Sequence, residues 1–198
     1  MTTVTGIILS GGKSSRMGEN KALLSLGNKK VIEHIYTELK NCCDEVAVVA
    51  NDPSAYAFLT SNIISDRFPG KGPLAGLETA FFHKKADAYI ISACDTPLIK
   101  REVYEHLYSR VRDFEAAVPV FDGQIHPLSG IYRRSVLTAV KQQLNKGELK
   151  VKSFFENIHV NYVDDFGSTS KETLQQHFFN MNTPSDYEKA KLWYDLSN

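Results

Sequence analysis

A short segment near the N-terminus, residues 9–21, concentrates the residue types that bind phosphate. It holds three glycines, three serines and the three cations Lys13, Arg16 and Lys21. Glycine lets backbone N–H groups approach an anion closely, and the cations supply the charge that a triphosphate needs. We therefore predict a triphosphate-binding loop here. The alternative is a flexible loop whose cations are merely solvated.

Two common phosphate motifs do not fit this segment. A P-loop that ends at residues 12–14 requires glycine five positions before Gly12, where Ile7 stands. A dinucleotide fingerprint that begins at Gly11 requires glycine in place of Lys13. The segment is therefore a phosphate loop of another type.

A second candidate is Asp95, which follows a hydrophobic run and precedes Pro97. The run predicts a buried strand, so we expect Asp95 at the carboxyl edge of a sheet. A carboxylate there can hold Mg²⁺, which needs only one or two protein oxygens besides substrate phosphates. Asp95 or Thr96 could also cap a helix beginning near Leu98, and the two roles can coexist.

Near the C-terminus, residues 178–187 contain two asparagines in an extended stretch. Alternation along such a stretch puts Asn180 and Asn182 on one face, so we predict that their amide oxygens converge. Thr183, Pro184 and Asp186 have the spacing of a capping box with proline at the first helical position. Asn182 is therefore the better ligand candidate of this segment.

A glycine- and proline-rich loop, residues 65–77, precedes a helix whose N-terminus could attract an anion. It could wrap an acceptor or a base. Asn51 and Asp66 end the second and third predicted strands, where a base would lie. Guanine, with its N1–H and N2 donors, would need such acceptors. The alternative is that both residues only form turns.

The elements that must position these residues alternate in type. Runs rich in β-branched residues at 4–9, 45–50, 62–65 and 88–93 predict buried parallel strands, with helical periodicity between them. This βαβ rhythm predicts an α/β fold with an open, mostly parallel sheet and a ligand site at its carboxyl edge. We expect a small antiparallel excursion with strands at 116–120 and 125–132 around a tight turn, and a single domain spanning residues 1–198.

Composition excludes several classes. With 23 basic and 23 acidic side chains the net charge is zero, which argues against a nucleic-acid partner. The three cysteines lack C-x-x-C spacing, which fits a reducing compartment. No apolar run reaches about 18 residues, so we expect a cytoplasmic protein without a membrane partner. The histidines lack the spacing typical of a zinc site, and the sequence has no G-x-S-x-G nucleophile elbow, which argues against zinc catalysis and serine hydrolysis.

Taken in order along the chain, five motifs resemble the molybdenum cofactor guanylyltransferases, or MobA proteins. They span residues 11–18, 72–76, 94–97, 126–128 and 180–184, with Lys21 beside the first. The family usually has alanine where Ser10 stands and aspartate where Asn20 stands. The resemblance implies a Rossmann-like, three-layer fold. It also implies transfer of GMP from GTP to the terminal phosphate of molybdopterin, with or without molybdenum, and release of pyrophosphate.

The resemblance also implies site residues and partners. It implies that GTP is bound by Leu9, Ser10, Gly11, Gly12, Lys21, Asn51, Asp66 and Asp95. Arg16, Lys21 and Asp95 would be catalytic, Asp95 and Asn182 would hold Mg²⁺, and the acceptor would meet Gly72, Pro73, Asn180 and Asn182. Other cofactor-biosynthesis proteins and recipient molybdoenzymes are the expected protein partners. The alternatives are transfer from CTP to molybdopterin, transfer from another nucleotide to a sugar phosphate, and a non-catalytic cofactor carrier.

Overall fold

The computed structural model describes residues 2–11, 20–60 and 62–196. Gly12 and Arg16 therefore lie outside the described residues, and their predicted roles stay predictions. The strands are β1 (Val4–Ser10), β2 (Ser25–Leu26), β3 (Lys29–Lys30), β4 (Glu45–Ala50), β5 (Ile63–Ser65), β6 (Ala88–Ala93), β7 (Ala116–Phe121), β8 (Gln124–Ile125), β9 (Ile131–Arg133) and β10 (Val160–Val163).

The helices alternate with these strands. The α-helices are α1 (Val31–Lys40), α2 (Gly72–His83), α3 (Arg101–Val111), α4 (Leu137–Asn145), α5 (Lys171–His177) and α6 (Pro184–Leu196). The 3₁₀ helices are Lys21–Leu23, Pro53–Tyr56, Pro127–Ser129, Arg134–Val136 and Val151–Asn157. Within the described part of the chain, no helix is long and apolar enough to cross a membrane.

The main sheet has eight strands in the order β10-β7-β9-β6-β1-β4-β5, with β8 paired to β7. Strand β1 pairs in parallel with β4 and β6, and β4 pairs in parallel with β5. Strand β9 runs antiparallel to both β6 and β7. The prediction of a mostly parallel sheet with a small antiparallel excursion is confirmed.

Helices cover both faces of the sheet. Every residue of β1 is buried, as expected for a central parallel strand. Its Ile8 packs into the cluster that contains the buried faces of α1 and α3, whereas Ile7 and Leu9 pack into the cluster that contains α2 and α4. This alternation produces the three layers and fixes the end of β1 between two cores.

The antiparallel excursion differs in detail from the prediction. The expected strand 125–132 is interrupted by the 3₁₀ helix Pro127–Ser129, because Pro127 lacks the N–H that a ladder requires. The predicted turn is present: Asp122 and Gly123 both have positive φ, 47° and 73°, as a type I′ hairpin between β7 and β8 requires. The helix expected near Leu98 begins at Arg101.

Candidate active site

A cleft of about 930 Å³ opens at the carboxyl edge of the sheet, beyond the ends of β1, β4, β5 and β6. The predicted site residues that line it are Leu9, Ser10, Gly11, Lys21, Asn51, Asp66, Gly72, Pro73 and Asp95. Parallel strands bring their carboxyl ends together at one edge, which is why residues far apart in sequence meet here.

Lys21, which lines this cleft, directly contacts Asn182. The Nζ atom of Lys21 donates a hydrogen bond of 2.8 Å to the Oδ1 atom of Asn182. A second link ties the same C-terminal segment to β6, because the backbone N–H of Met181 donates to the carbonyl of Asp95 at 2.7 Å. The sequence indicated Asn182 as a ligand but carried no signal for its contact with a lysine 161 residues away.

Asp95 is a half-buried carboxyl that lines the cleft. Burial raises the pKa of Asp95, and the positive charge of Lys21 lowers it in part. Among the described residues, no cation lies within ion-pair distance of its carboxylate. A partly desolvated carboxylate of this kind is chemically able to take up a cation.

Asp66 is held by two donors on one of its carboxylate oxygens. Its Oδ1 atom accepts from the backbone N–H of Phe68 at 3.0 Å and from the hydroxyl of Thr79 at 3.1 Å. Thr79 is fully buried on α2 and also accepts from the backbone N–H of Arg67. This arrangement fixes the carboxylate at the cleft wall. The sequence predicted Asp66 but gave no indication of Thr79.

The start of α2 contributes the opposite wall of the cleft. Gly72 has a positive φ of 74°, which glycine adopts without strain, and Pro73 follows at the first turn of the helix. Further along α2, a Cβ atom on Gly76 would lie 3.2 Å from the Cδ2 atom of Leu9. Glycine at this position therefore lets α2 approach β1 at the cleft floor.

Tyr56 is a cleft residue that the sequence analysis missed. Its hydroxyl accepts hydrogen bonds from the Ser10 hydroxyl at 2.6 Å and from the Asn20 side-chain amide at 2.8 Å. Tyr56 ends the 3₁₀ helix after β4 and is only 3% exposed. No motif or spacing points to it, because its partners are 46 and 36 residues away.

The amide oxygen of Asn182 accepts from Lys21, whereas Asn180 borders another part of the molecule, so the prediction that their amide oxygens converge is wrong. Asn180 lines a separate cavity of about 310 Å³ between the β7–β8 hairpin, the end of α5 and α6. The segment between α5 and α6 pairs with none of the described strands. Instead, the Asp186 carboxylate accepts from the backbone N–H groups of Asn182 and Thr183, at 2.9 and 2.8 Å, as the predicted capping box requires.

The three-layer fold and its cleft define an α/β protein of the nucleotidyltransferase type. Residues 6–162 match the MobA-like NTP transferase domain. The "Probable molybdenum cofactor guanylyltransferase" of Carboxydothermus hydrogenoformans is 41% identical over 196 residues, which cover 99% of both chains. The chain therefore belongs to the MobA-like NTP transferase family.

Solved structures agree with this assignment. The molybdopterin-guanine dinucleotide biosynthesis protein A of Archaeoglobus fulgidus superposes with a TM-score of 0.83 at 27% identity, covering 97% of this chain and 99% of that one. A CMP:2-keto-3-deoxy-manno-octonic acid synthetase, solved with CTP, superposes over the full length of both chains with a TM-score of 0.76. At 18% identity, that second likeness shows the fold alone.

Proposed function

We propose that this protein transfers GMP from GTP to the terminal phosphate of molybdopterin, with or without molybdenum, and releases pyrophosphate. The product is the guanine dinucleotide form of the cofactor. The observation that carries the proposal is that Lys21 and Asp95 line one cleft and that the segment Met181–Asn182 bonds to both of them, in a chain of this family. These groups supply charge and position, which are what transfer of a nucleotidyl group requires.

In the proposed reaction, the terminal phosphate of the acceptor attacks the α-phosphorus of GTP in line, and pyrophosphate leaves. The attacking phosphate is already ionised at neutral pH, so the enzyme needs no general base. None of the described residues that line the cleft is a histidine, in keeping with this chemistry. Lys21 stabilises negative charge on the transferred group, and Arg16 is proposed to do so on the pyrophosphate.

Base recognition is assigned to Asp66 and Asn51. Because the donors from Phe68 and Thr79 both meet Oδ1 of Asp66, no hydrogen bond among the described residues uses the second carboxylate oxygen, and we propose that it accepts from the N1–H and N2 groups of guanine. Asn51 lies close to Gly11, since a Cβ built on Gly11 would be 3.8 Å from the Asn51 amide nitrogen. We propose that the backbone of Leu9, Ser10 and Gly11 then borders the nucleotide between base and phosphates.

The metal is proposed to be Mg²⁺ held by Asp95. The described residues contain no group of three or more acidic, histidine or cysteine side chains that could hold a metal ion. A single desolvated carboxylate fits Mg²⁺, whose other ligands are water and phosphate oxygens. When bound, Mg²⁺ would neutralise charge on the triphosphate. Asn182 would add an oxygen only by releasing Lys21, so Asp95 is its first ligand.

The acceptor is proposed to lie between the start of α2, at Gly72 and Pro73, and the C-terminal segment. The second cavity suits the flat, polar ring of a pterin, because stacked aromatic rings of Phe121 and Phe178, with centroids 5.2 Å apart, border amide side chains such as that of Asn180. Asn180 and Asn182 are two residues apart, so at most about 7 Å of chain separates the cavity from the Lys21 contact.

The proposal is tested by pyrophosphate release from GTP, CTP, ATP and UTP, with Mg²⁺ and with or without molybdopterin. Release that needs both GTP and molybdopterin supports it. Pyrophosphate release with CTP would instead indicate a cytidylyltransferase. Release that does not depend on molybdopterin would show that molybdopterin is not the acceptor. Transfer to other cofactor-biosynthesis proteins and to molybdoenzymes would follow from the product and is tested by pull-down with the loaded enzyme.

Occupancy of the second cavity has its own readout. Trp193 is the single tryptophan of the chain and lines that cavity, so its fluorescence reports a ligand there. Molybdopterin should quench it. Gln124→Ala, at the cavity, should weaken the quenching, whereas the exposed Gln142→Ala on α4 should not. Equal titrations in both variants would place the pterin elsewhere.

A further inference from the structure

The hydroxyl of Tyr56 joins two described residues near the two ends of the predicted phosphate-binding segment, residues 9–21. Ser10 is the last residue of β1, and Asn20 is the residue directly before Lys21. Both donate to the same oxygen, at 2.6 and 2.8 Å. One atom of Tyr56, in the 3₁₀ helix Pro53–Tyr56, thus holds together the end of strand β1 and the start of the 3₁₀ helix Lys21–Leu23.

The side chain of Asn20 connects the Tyr56 hydroxyl to the helix that begins at Lys21. While its amide nitrogen donates to Tyr56, its Oδ1 atom accepts from the backbone N–H of Ala22 at 3.2 Å and caps the 3₁₀ helix Lys21–Leu23. A helix of three residues cannot stabilise itself, because its first turn fixes several dihedral angles for a single hydrogen bond. The orientation of Lys21 therefore depends on the cap.

The other end of the link is rigid. Ser10 pairs with Ala50 at the end of a strand that has parallel neighbours on both sides. Ser10 is 8% exposed, and Tyr56 is buried beneath the cleft. Tyr56 consequently connects a central strand, paired on both sides, to a 3₁₀ helix of three residues.

We propose that Tyr56 is a positioning residue: its hydroxyl orients the Asn20 cap and thereby holds the Lys21 amine at the reacting phosphates. This inference rests on the proposed function for its kinetic consequence. The structural link itself can be measured without any substrate.

The substrate-free test compares Tyr56→Phe with Tyr89→Phe. Both changes remove one hydrogen-bonded phenol oxygen from a buried tyrosine. Tyr89 lies near the start of β6, does not line the cleft, and donates to the carbonyl of Lys84 at the end of α2. Amide hydrogen exchange at Ala22 is the readout. Tyr56→Phe should accelerate it roughly 3- to 10-fold, the effect of losing one hydrogen bond, and Tyr89→Phe should leave it unchanged. Unchanged exchange at Ala22 in Tyr56→Phe overturns the proposal.

The kinetic test is a double-mutant cycle with Lys21→Ala. Tyr56→Phe should lower kcat roughly 3- to 10-fold in the wild-type background and have no further effect when Lys21 is already alanine, because the two residues act as one unit. An equal factor in both backgrounds would mean that Tyr56 acts through general stability and would overturn the positioning role. If wild-type protein fails to use GTP, the proposed function fails, and the exchange measurement still decides the link.

Discussion

The free energy of unfolding should depend on pH through His177, and the size of the effect follows from the surroundings of this side chain. The imidazole is fully buried; its Nδ1 atom accepts from the backbone N–H of Lys100 at 2.9 Å, and its Nε2 atom lies 2.7 Å from the Ser129 hydroxyl. Burial, followed by the charge of nearby His126, lowers the pKa of His177 from 6.5 to about 3. The folded protein therefore requires the neutral ring.

The sign and magnitude follow from proton linkage. Between the two pKa values the unfolded chain binds a proton that the folded chain does not, so stability is lost as the pH falls below that of the unfolded histidine. From about pH 7 to about pH 5 this one group should cost about 2 kcal/mol of unfolding free energy. At about pH 7 the stabilisation that the neutral His177 contributes to the folded state is nearly complete.

Urea unfolding at the two pH values is the assay, with His177→Phe as the perturbation. At about pH 7 the variant should be less stable by about 2 to 4 kcal/mol, because the groups of Lys100 and Ser129 lose their partner. It should nevertheless lose about 2 kcal/mol less than wild type on going to about pH 5. Tyr104→Phe, which removes the next hydroxyl of the same chain of hydrogen bonds, should keep the wild-type pH dependence. An identical loss in wild type and His177→Phe would refute the reasoning.

Three further predictions concern the cleft. Lys21→Ala should lower kcat by about 10² to 10³ while the thermal midpoint stays near wild type, and the exposed Lys29→Ala should leave both unchanged; near-normal turnover of Lys21→Ala would reject its catalytic role. Asp95→Asn should abolish the stimulation of pyrophosphate release by Mg²⁺, measured in a metal titration, and a wild-type titration curve would move the metal elsewhere. Gly76→Ala should force Leu9 aside and cost about 1 to 3 kcal/mol in urea unfolding; an unchanged midpoint would show that the floor can adjust freely.

The sequence predicted those parts of the molecule that repeat a local pattern. The runs at residues 45–50 and 88–93 became β4 and β6 with the same bounds, since buried parallel strands are continuous apolar runs. Asp95 was found because a strand that ends in an acid has a known place at a sheet edge. The turn at Asp122 and Gly123 was found because few residue pairs adopt its dihedral angles.

The parts that the sequence did not reveal depend on contacts between distant residues. Tyr56 and Thr79 act through side-chain hydrogen bonds to residues outside their own elements, and no periodicity in the sequence indicates such bonds. The predicted convergence of Asn180 and Asn182 was wrong for a related reason. The alternation rule holds for a strand, but the backbone N–H of Asn182 is committed to capping α6, so the chain turns and Asn180 faces another cavity.

The central claim is tested most directly by following the α-phosphate of GTP. Wild-type enzyme is incubated with Mg²⁺, molybdopterin and GTP labelled at its α-phosphate, and the products are separated. The account predicts that the label moves into a molybdopterin guanine dinucleotide, in step with pyrophosphate release. Label that stays in GTP, or appears only as free GMP, would contradict it.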